Sequence, residues 1–96
     1  MLDILKGKEP TESYLVICMG PHNAAYLCKR VADVLVSVSP TITYHRTPSY
    51  IDFGNSYCRM RFVGRNEADK AALGFRGKIL YGHQVERILD ELGAVS

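Results

Sequence analysis

Residues 14–21 read Tyr-Leu-Val-Ile-Cys-Met-Gly-Pro, and this stretch decides the fold. Its first six residues form a continuous apolar run of strand length, and the glycine and proline that follow end it. A half-exposed strand alternates apolar and polar residues, whereas a run that is apolar throughout is typical of a strand covered on both faces of its sheet. We therefore expect residues 14–19 to form a central strand of a layered α/β domain.

A helix is predicted directly after this strand. Asn23 can act as its N-cap, because its side-chain oxygen can accept a hydrogen bond from a free amide of the first turn. Apolar residues then recur every three or four positions, at Leu27, Val31, Val34, Leu35 and Val38. This spacing predicts an amphipathic helix that runs to about Ser37 and is stopped by Pro40.

The remaining elements follow from alternation, turn residues and helical spacing. They are strands over residues 41–45, 50–53, 57–63 and 78–81, a short helix over 66–73 that ends at Gly74, and a helix over 84–92 that is closed by Gly93. The turn triplet Gly54-Asn55-Ser56 predicts a hairpin of the second and third of these strands. The resulting order, β-α-β-β-β-(α)-β-α, predicts a small single-domain α/β fold with a mixed sheet. Residues 14–81 alone also fit the order β-α-β-β-α-β of a ferredoxin-like α+β fold.

Length and composition indicate one domain. The 96 residues are 47% apolar and 23% charged, with a formal net charge of +2, which is enough for one modest core. We expect an N-terminal arm over residues 1–13 and a single domain over 14–96. No apolar run approaches the ~20 residues that cross a bilayer, and the start of the chain is too short in its apolar part for a secretory signal. Three cysteines without close spacing are typical of a reduced chain, so a cytoplasmic location is expected.

The basic residues are concentrated in one segment. Residues 59–78 hold six basic side chains and two acidic ones, a balance of +4, whereas residues 1–58 are balanced. Alternation along the predicted strand places Tyr57, Arg59 and Arg61 on one side. Arginines beside an aromatic ring can hold phosphates while a base stacks on the ring, and the same arginines can hold carboxylates. The predicted binding residues are Tyr57, Arg59, Arg61, Arg65, Arg76 and Lys78, and Tyr44, His45 and Arg46 extend this surface.

A second interpretation of this basic side is a solvated sheet face. Antiparallel hairpins commonly present one polar face to water, and its arginines would then pair with Asp52 or Glu67.

Catalytic and metal-binding signatures are weak. The three cysteines and three histidines are not tied by any local motif, and Cys18 and Cys58 fall on predicted apolar strand faces. The sequence has no Cys-x-x-Cys and no His-x-x-x-His, so no metal site, cofactor or catalytic residue is predicted. His22 follows the first strand, where ligands of open α/β sheets gather, but turning the chain and capping the helix is the commoner role of such a segment.

Two stretches carry a familiar order of motifs. Residues 14–31 read YLVICMGPHNAAYLCKRV, a strand that ends in a proline turn and leads into a helix. Residues 54–77 read GNSYCRMRFVGRNEADKAALGFRG, a turn, a basic strand, an acidic spacer and a glycine-arginine segment. Together they resemble the middle of a phage large-terminase or helicase-like P-loop ATPase core. The resemblance implies a phage or mobile-element origin and a role near DNA-processing proteins.

The departures from that family concern its catalytic parts. No G-x-x-x-x-G-K-[ST] motif precedes the first strand, since Gly7-Lys8-Glu9-Pro10-Thr11 has a proline inside it and no room for the helix that must follow. Gly82-His83 stands where the family has its acidic metal-binding pair. Without a phosphate cradle or a magnesium carboxylate, ATP hydrolysis is not expected, and no catalytic residue of the family carries over.

Three functions remain open from the sequence. The leading one is a non-catalytic binding domain that engages DNA or RNA, or an acidic surface of a DNA-processing protein. The second is a dimeric interaction module that regulates a larger enzyme, indicated by the surplus of apolar residues in short helices and a short edge strand. The third is a small enzyme that uses His22 or His83 with a nearby cysteine.

Overall fold

A five-stranded mixed sheet carries three α-helices in the part of the chain that the structure, a computed structural model, describes: residues 3–39, 41–54 and 57–95. In chain order the elements are a short 3-10 helix (Asp3–Lys6), β1 (Tyr14–Cys18), α1 (Pro21–Val38), β2 (Ile42–His45), β3 (Tyr50–Phe53), β4 (Cys58–Gly64), α2 (Arg65–Ala72), β5 (Lys78–Tyr81) and α3 (Gly82–Val95). The strands lie side by side in the order β2-β3-β4-β1-β5. The predicted α/β order of strands and helices is confirmed.

β1 is the inner strand that its apolar run predicts. It pairs in parallel with β4 on one side and with β5 on the other. Leu15 and Val16 point to opposite faces of the sheet, and both are buried, at 1% and 0% exposure. The ferredoxin-like alternative is wrong, because β2 is a fifth strand of the sheet and β1 is parallel to both of its neighbours.

The two crossover connections place their helices on opposite faces of the sheet. β1 and β2 run in the same direction, because β1 is parallel to β4 and two antiparallel pairings separate β4 from β2. α1 therefore crosses from β1 to β2 in one direction, while α2 crosses from β4 to β5 in the other. Such connections are almost always right-handed, so opposite directions require opposite faces. α1 and α3 contact each other on one face, and α2 contacts β1 and β4 on the other.

The main core lies between the sheet and the α1–α3 layer. It contains alternate strand residues and the apolar sides of both helices, including Val16, Cys18, Ile51, Phe53, Met60, Phe62, Leu27, Val31, Leu35, Val85 and Leu89. Ile4 and Leu5, from the predicted N-terminal arm, are buried in the same core because the 3-10 helix contacts α1. On the opposite face Leu15 and Val63 are buried at the two strands that α2 contacts. No helix within the described residues is long and apolar enough to cross a membrane.

The start of α1 differs from the sequence-based prediction. The helix begins at Pro21, with Gly20 in the N-cap position and no side-chain cap bond, so the prediction that Asn23 caps it is wrong. Proline suits the first helical position because its φ is already helical and the N–H it lacks would be unpaired there. The helix ends at Val38, and the predicted stop at Pro40 lies outside the described residues.

α3 is longer than predicted at both ends. It begins at Gly82, two residues before the predicted start, because Gln84 Oε1 accepts the N–H of Tyr81 at 2.9 Å. This is the back-reaching half of a capping box, in which the third helical residue pairs the amide that precedes the helix. The helix also continues past Gly93 to Val95, so the prediction that this glycine closes it is wrong.

Candidate nucleic-acid interface

One side of β2, β3 and the first half of β4 faces away from α1. We call it the open face, and the strand register assigns to it Thr43, His45, Tyr50, Asp52, Arg59 and Arg61. Their neighbours along the strands alternate to the α1 side, where Ile51 and Met60 are fully buried. Because a shift of one residue would turn these apolar side chains to water, the burial of the inner side fixes which residues reach the open face.

A stacked row crosses the open face at Tyr50. The His45 ring lies on the Tyr50 ring with centroids 4.1 Å apart and an angle of 11° between the planes. The Arg59 guanidinium carbon lies 5.1 Å from the centroid of the same ring. These residues come from three adjacent strands with Tyr50 in the middle, so His45 and Arg59 approach Tyr50 from opposite sides. His45 lies on the edge strand β2 and is partly exposed.

Asp52 and Ser13 hold Arg59. Arg59 Nε lies 3.4 Å from Asp52 Oδ2, its direct cross-strand neighbour, and the Arg59 backbone N–H donates to Ser13 Oγ at 3.1 Å. An exposed ion pair of this kind contributes at most about 1 kcal/mol to stability. Its main effect is to orient the guanidinium, and it agrees with the sequence-based interpretation in which an arginine pairs with Asp52.

Arg61 and Arg46 lie at the end of the open face where β4 ends. Arg61 is the register neighbour of Tyr50 and Leu15, and Arg46 follows β2 in the turn to β3. Neither arginine forms an ion pair with a described residue. Both line a groove of about 430 Å³, whose other lining residues include Pro21, Gly64 and Glu67. The groove therefore carries two arginine charges against one glutamate.

The structure separates the remaining predicted residues from the open face. Tyr44 alternates to the α1 side and packs against the core. Arg65 is the first residue of α2 and lines a different pocket, with Tyr81 and His83. Arg76 precedes β5, and Lys78 lines a groove beside α3. The predicted residues that come together are Arg46, Arg59 and Arg61.

Tyr57 lies in the hairpin turn and not in β4. Its φ is +59°, an uncommon conformation for a residue other than glycine, and β4 begins at Cys58. The side chain is 95% exposed at the end of the sheet that is remote from Arg46. The predicted hairpin of β3 and β4 is confirmed by their antiparallel register, while residues 55 and 56 of its turn lie outside the described residues.

Sequence reasoning missed Tyr50 and gave His45 a minor place. Tyr50 could have been found from its neighbour, because Ile51 is an obvious core residue and the residues beside a core residue in a strand face the other way. The sequence does not reveal the strand register that brings His45, Tyr50 and Arg59 side by side, because this register depends on the lengths of two turns.

The buried cysteines are held as thiols. Burial raises the pKa of Cys18 to about 11 and that of Cys28 to about 12. Since the thiolate is the nucleophile and the metal ligand, neither side chain is in its reactive form at neutral pH. Among the described residues, no group of three or more histidine, cysteine, aspartate or glutamate side chains is placed to hold a metal ion.

The fold and this face together define a small three-layer α/β domain in which one part of the sheet carries a stacked, arginine-flanked row. Comparison of the chain with protein-family models, with curated proteins and with solved structures gave no match. The resemblance to a P-loop ATPase core therefore stays a prediction.

Proposed function

We propose that the chain is a non-catalytic binding domain that holds single-stranded nucleic acid on its open face. The observation that supports this most directly is the row of His45, Tyr50 and Arg59, with Arg61 beside it, on the side of β2 and β3 that faces away from α1 and that α2 does not contact. A flat sheet with aromatic rings and arginines at its surface suits unpaired bases and the phosphates that link them.

Each side chain of the row has a distinct task in this proposal. A base stacks on the outer surface of the His45 ring, which extends the stack that His45 already makes with Tyr50. Arg61 and Arg46, which have no acidic partner among the described residues, bind phosphates along the strand. Arg59 pairs with Asp52, so its guanidinium packs against the Tyr50 ring and adds positive charge beside it. Duplexes are disfavoured because their bases are already stacked and cannot reach the rings.

Fluorescence anisotropy with labelled 12-nucleotide DNA and RNA strands, and with a DNA duplex, tests the proposal at 50 and 200 mM salt. With two arginines in phosphate contact, log affinity should fall with log salt at a slope of about −1.4, which is a loss of about sevenfold over this range. We expect single strands to bind more tightly than the duplex. Absence of binding at 50 mM salt would overturn the proposal, because phosphate contacts are strongest there.

Matched variants locate the binding surface. Arg61→Gln should weaken binding and reduce the magnitude of the salt slope by about 0.7. Arg87→Gln removes the same charge from an exposed position on α3, where Arg87 pairs with Glu91, and should change neither quantity. His45→Ala should weaken binding by about tenfold through loss of stacking, whereas His83→Ala on α3 should not. Equal losses from Arg61→Gln and Arg87→Gln would contradict a localised site.

An acidic protein is the competing partner for the same face. Polyglutamate supplies carboxylates without bases, so it should compete poorly with an oligonucleotide of equal charge, and His45→Ala should not affect its binding. If polyglutamate binds as tightly as the oligonucleotide and the His45→Ala variant binds both equally well, the face is better assigned to acidic proteins.

A second candidate function is self-association through β5. This strand pairs with β1 alone, and its Ile79 and Tyr81 are 43% and 52% exposed on the same face, whereas the other edge strand carries no exposed large apolar residue. The Lys78 N–H donates to Ser13 O, so the amides of Ile79 and Tyr81 point to the free edge, where Gln84 takes that of Tyr81. Two copies paired antiparallel about Leu80 would place each Ile79 opposite Tyr81 of the second copy, a favourable apolar–aromatic pair.

Light scattering at several concentrations tests this candidate. A dimer that Ile79→Lys converts to a monomer, while the Thr43→Lys control on the other edge strand leaves it intact, would support it. A monomer at the highest concentration measured would contradict it.

A further inference from the structure

The groove beside the open face carries charges that suit an anionic group. It has a volume of about 430 Å³ and is flanked by Arg46 and Arg61, two guanidinium groups without an acidic partner among the described residues. Guanidinium groups make paired hydrogen bonds to phosphate oxygens, and two of them can neutralise two charges. The proposed function gives these two arginines the phosphates of the strand, but it does not say which phosphate lies in the groove that both of them line.

The starts of two helices line part of the groove. Pro21 and Ala24 of α1 line one side, and Gly64, which precedes α2, lines another. Gly64 packs directly on the turn before α1: a Cβ at this position would lie 3.0 Å from the Gly20 carbonyl carbon and 3.1 Å from the Pro21 nitrogen. The backbones at these two helix starts are thus packed together beside the groove, and a strand that follows the open face toward Arg46 meets them on this side.

Charge distinguishes a terminal phosphate from an internal one. An internal phosphodiester carries one negative charge, whereas a terminal phosphate monoester carries ≈ −1.5 to −2 at pH 7. Two unpaired arginines match the second species. Glu67 also lines the groove and opposes any anion there. The net preference therefore depends on two residues that attract and one that repels, and each can be changed separately because all three side chains are exposed.

We infer that the groove between Arg46 and Arg61 binds the terminal phosphate monoester of a nucleic-acid strand that lies on the open face. The inference rests on the proposed function for its polymeric ligand, although the monoester itself is the chemistry that the groove recognises. A free mononucleotide or inorganic phosphate presents the same group, and the test separates these sources.

The test compares oligonucleotides of one sequence with a 5′-phosphate, a 3′-phosphate or neither, by anisotropy competition at 50 mM salt. One of the phosphorylated ends should bind about tenfold more tightly than the unmodified strand, the effect expected of additional charge-assisted hydrogen bonds. Arg46→Gln should abolish this difference, and it should also weaken binding of the unmodified strand by the loss of one phosphate contact. Glu67→Gln should enlarge the difference, and Arg87→Gln should leave it unchanged.

A separate measurement distinguishes failure of this inference from failure of the proposed function. Equal binding of all three oligonucleotides overturns the inference and leaves the proposed function intact.

If no oligonucleotide binds, the proposed function fails, and titration of inorganic phosphate into the ¹⁵N-labelled protein then tests whether the groove binds phosphate. Saturable shifts of the Arg46 and Arg61 side-chain Nε–H signals, absent with chloride at equal ionic strength, support a phosphate site. Their absence overturns it. Saturation by inorganic phosphate or a mononucleotide as tight as that by the phosphorylated strand would assign the groove to the small molecule and overturn the polymeric ligand.

Discussion

Gly77 permits β5 to lie against β1, and replacing it by alanine should weaken the sheet on that side. Its φ is +142°, a conformation that side chains rarely adopt. A Cβ at this position would lie 2.3 Å from Ser13 O and 3.0 Å from Phe75 Cζ. Ser13 O accepts the Lys78 N–H at 3.0 Å at the start of the β1–β5 pairing, so the backbone cannot move away without loss of that bond. The alanine variant therefore combines backbone strain with a lost or weakened hydrogen bond.

The expected cost follows from these two parts. A side chain held in a sparsely populated backbone region costs on the order of 1–3 kcal/mol, and a typical hydrogen bond contributes about 1 kcal/mol. Gly77→Ala should thus lower the free energy of unfolding by about 3 kcal/mol, a large share of the roughly 5–15 kcal/mol that stabilises a domain of this size. Gly74→Ala is the matched control, because φ there is +75° and a Cβ would have no atom within 4 Å. It should cost only the strain, about 1–2 kcal/mol.

Urea denaturation followed by far-UV circular dichroism measures both variants, since the chain has no tryptophan to report by fluorescence. The difference between the two midpoints isolates the close approach of Gly77 to Ser13 from the cost of a positive φ. If Gly77→Ala and Gly74→Ala are equally destabilised, or if Gly77→Ala is the milder, β5 does not approach Ser13 as described and the reasoning is refuted.

Three further predictions concern the core and its thiols. Leu15→Ala should lower the free energy of unfolding by about 2–5 kcal/mol, because it leaves a cavity on the α2 side of the sheet. Ile79→Ala, at a half-exposed position of the same face, should lower it much less, and equal losses in urea denaturation would show that α2 does not cover β1. Gly93→Ala should raise the melting temperature, because glycine inside a helix is less favourable than alanine by about 1 kcal/mol and a Cβ at this position meets no atom within 4 Å. A lowered melting temperature would contradict the extension of α3 past this residue. Burial raises the pKa of Cys18 from 9.0 to about 11 and that of Cys28 to about 12, so both should react with a thiol reagent at pH 8 only after unfolding, and rapid labelling of these two residues in the native protein would refute their burial. The free energy of unfolding should also fall as the pH rises above 9, because the unfolded chain then releases protons that the folded chain retains.

The elements that could be predicted from the sequence are those whose signal is local. The apolar run of β1 and the three- and four-residue spacing of α1 identify these elements because each buries a surface that the pattern itself displays. The start of α1 was misplaced for a physical reason: Asn23 is a good cap by type, but Pro21 already supplies the helical φ two residues earlier. The early start of α3 depends on a side chain inside the helix, Gln84, which reaches back to Tyr81.

The candidate site was predicted in part, because a count of charges along the chain does not follow the fold. The basic segment 59–78 runs through β4, α2, a loop and the first residue of β5, so its arginines and lysines point in different directions. Arg59 and Arg61 share a face as alternation requires. Their aromatic neighbour is Tyr50 from the adjacent strand, and neither Tyr57 nor Tyr44 takes that place. Cross-strand neighbours depend on the strand register, and no local pattern in a single sequence predicts the register that two turns impose on three strands.

The open face results from the direction of the second crossover. α2 carries the chain from β4 over β1 to β5, away from β3 and β2, so on this side neither β2 nor β3 contacts a described helix. Had α2 crossed in the opposite direction, it would have covered Tyr50 and His45 and required apolar residues there. A solvated face needs only polar side chains, and Thr43 and Asp52 satisfy that need. The stacked rings with an arginine on one flank, and the two unpaired arginines at the strand ends, go beyond that need, and they support the proposal of a ligand that offers both flat rings and negative charge.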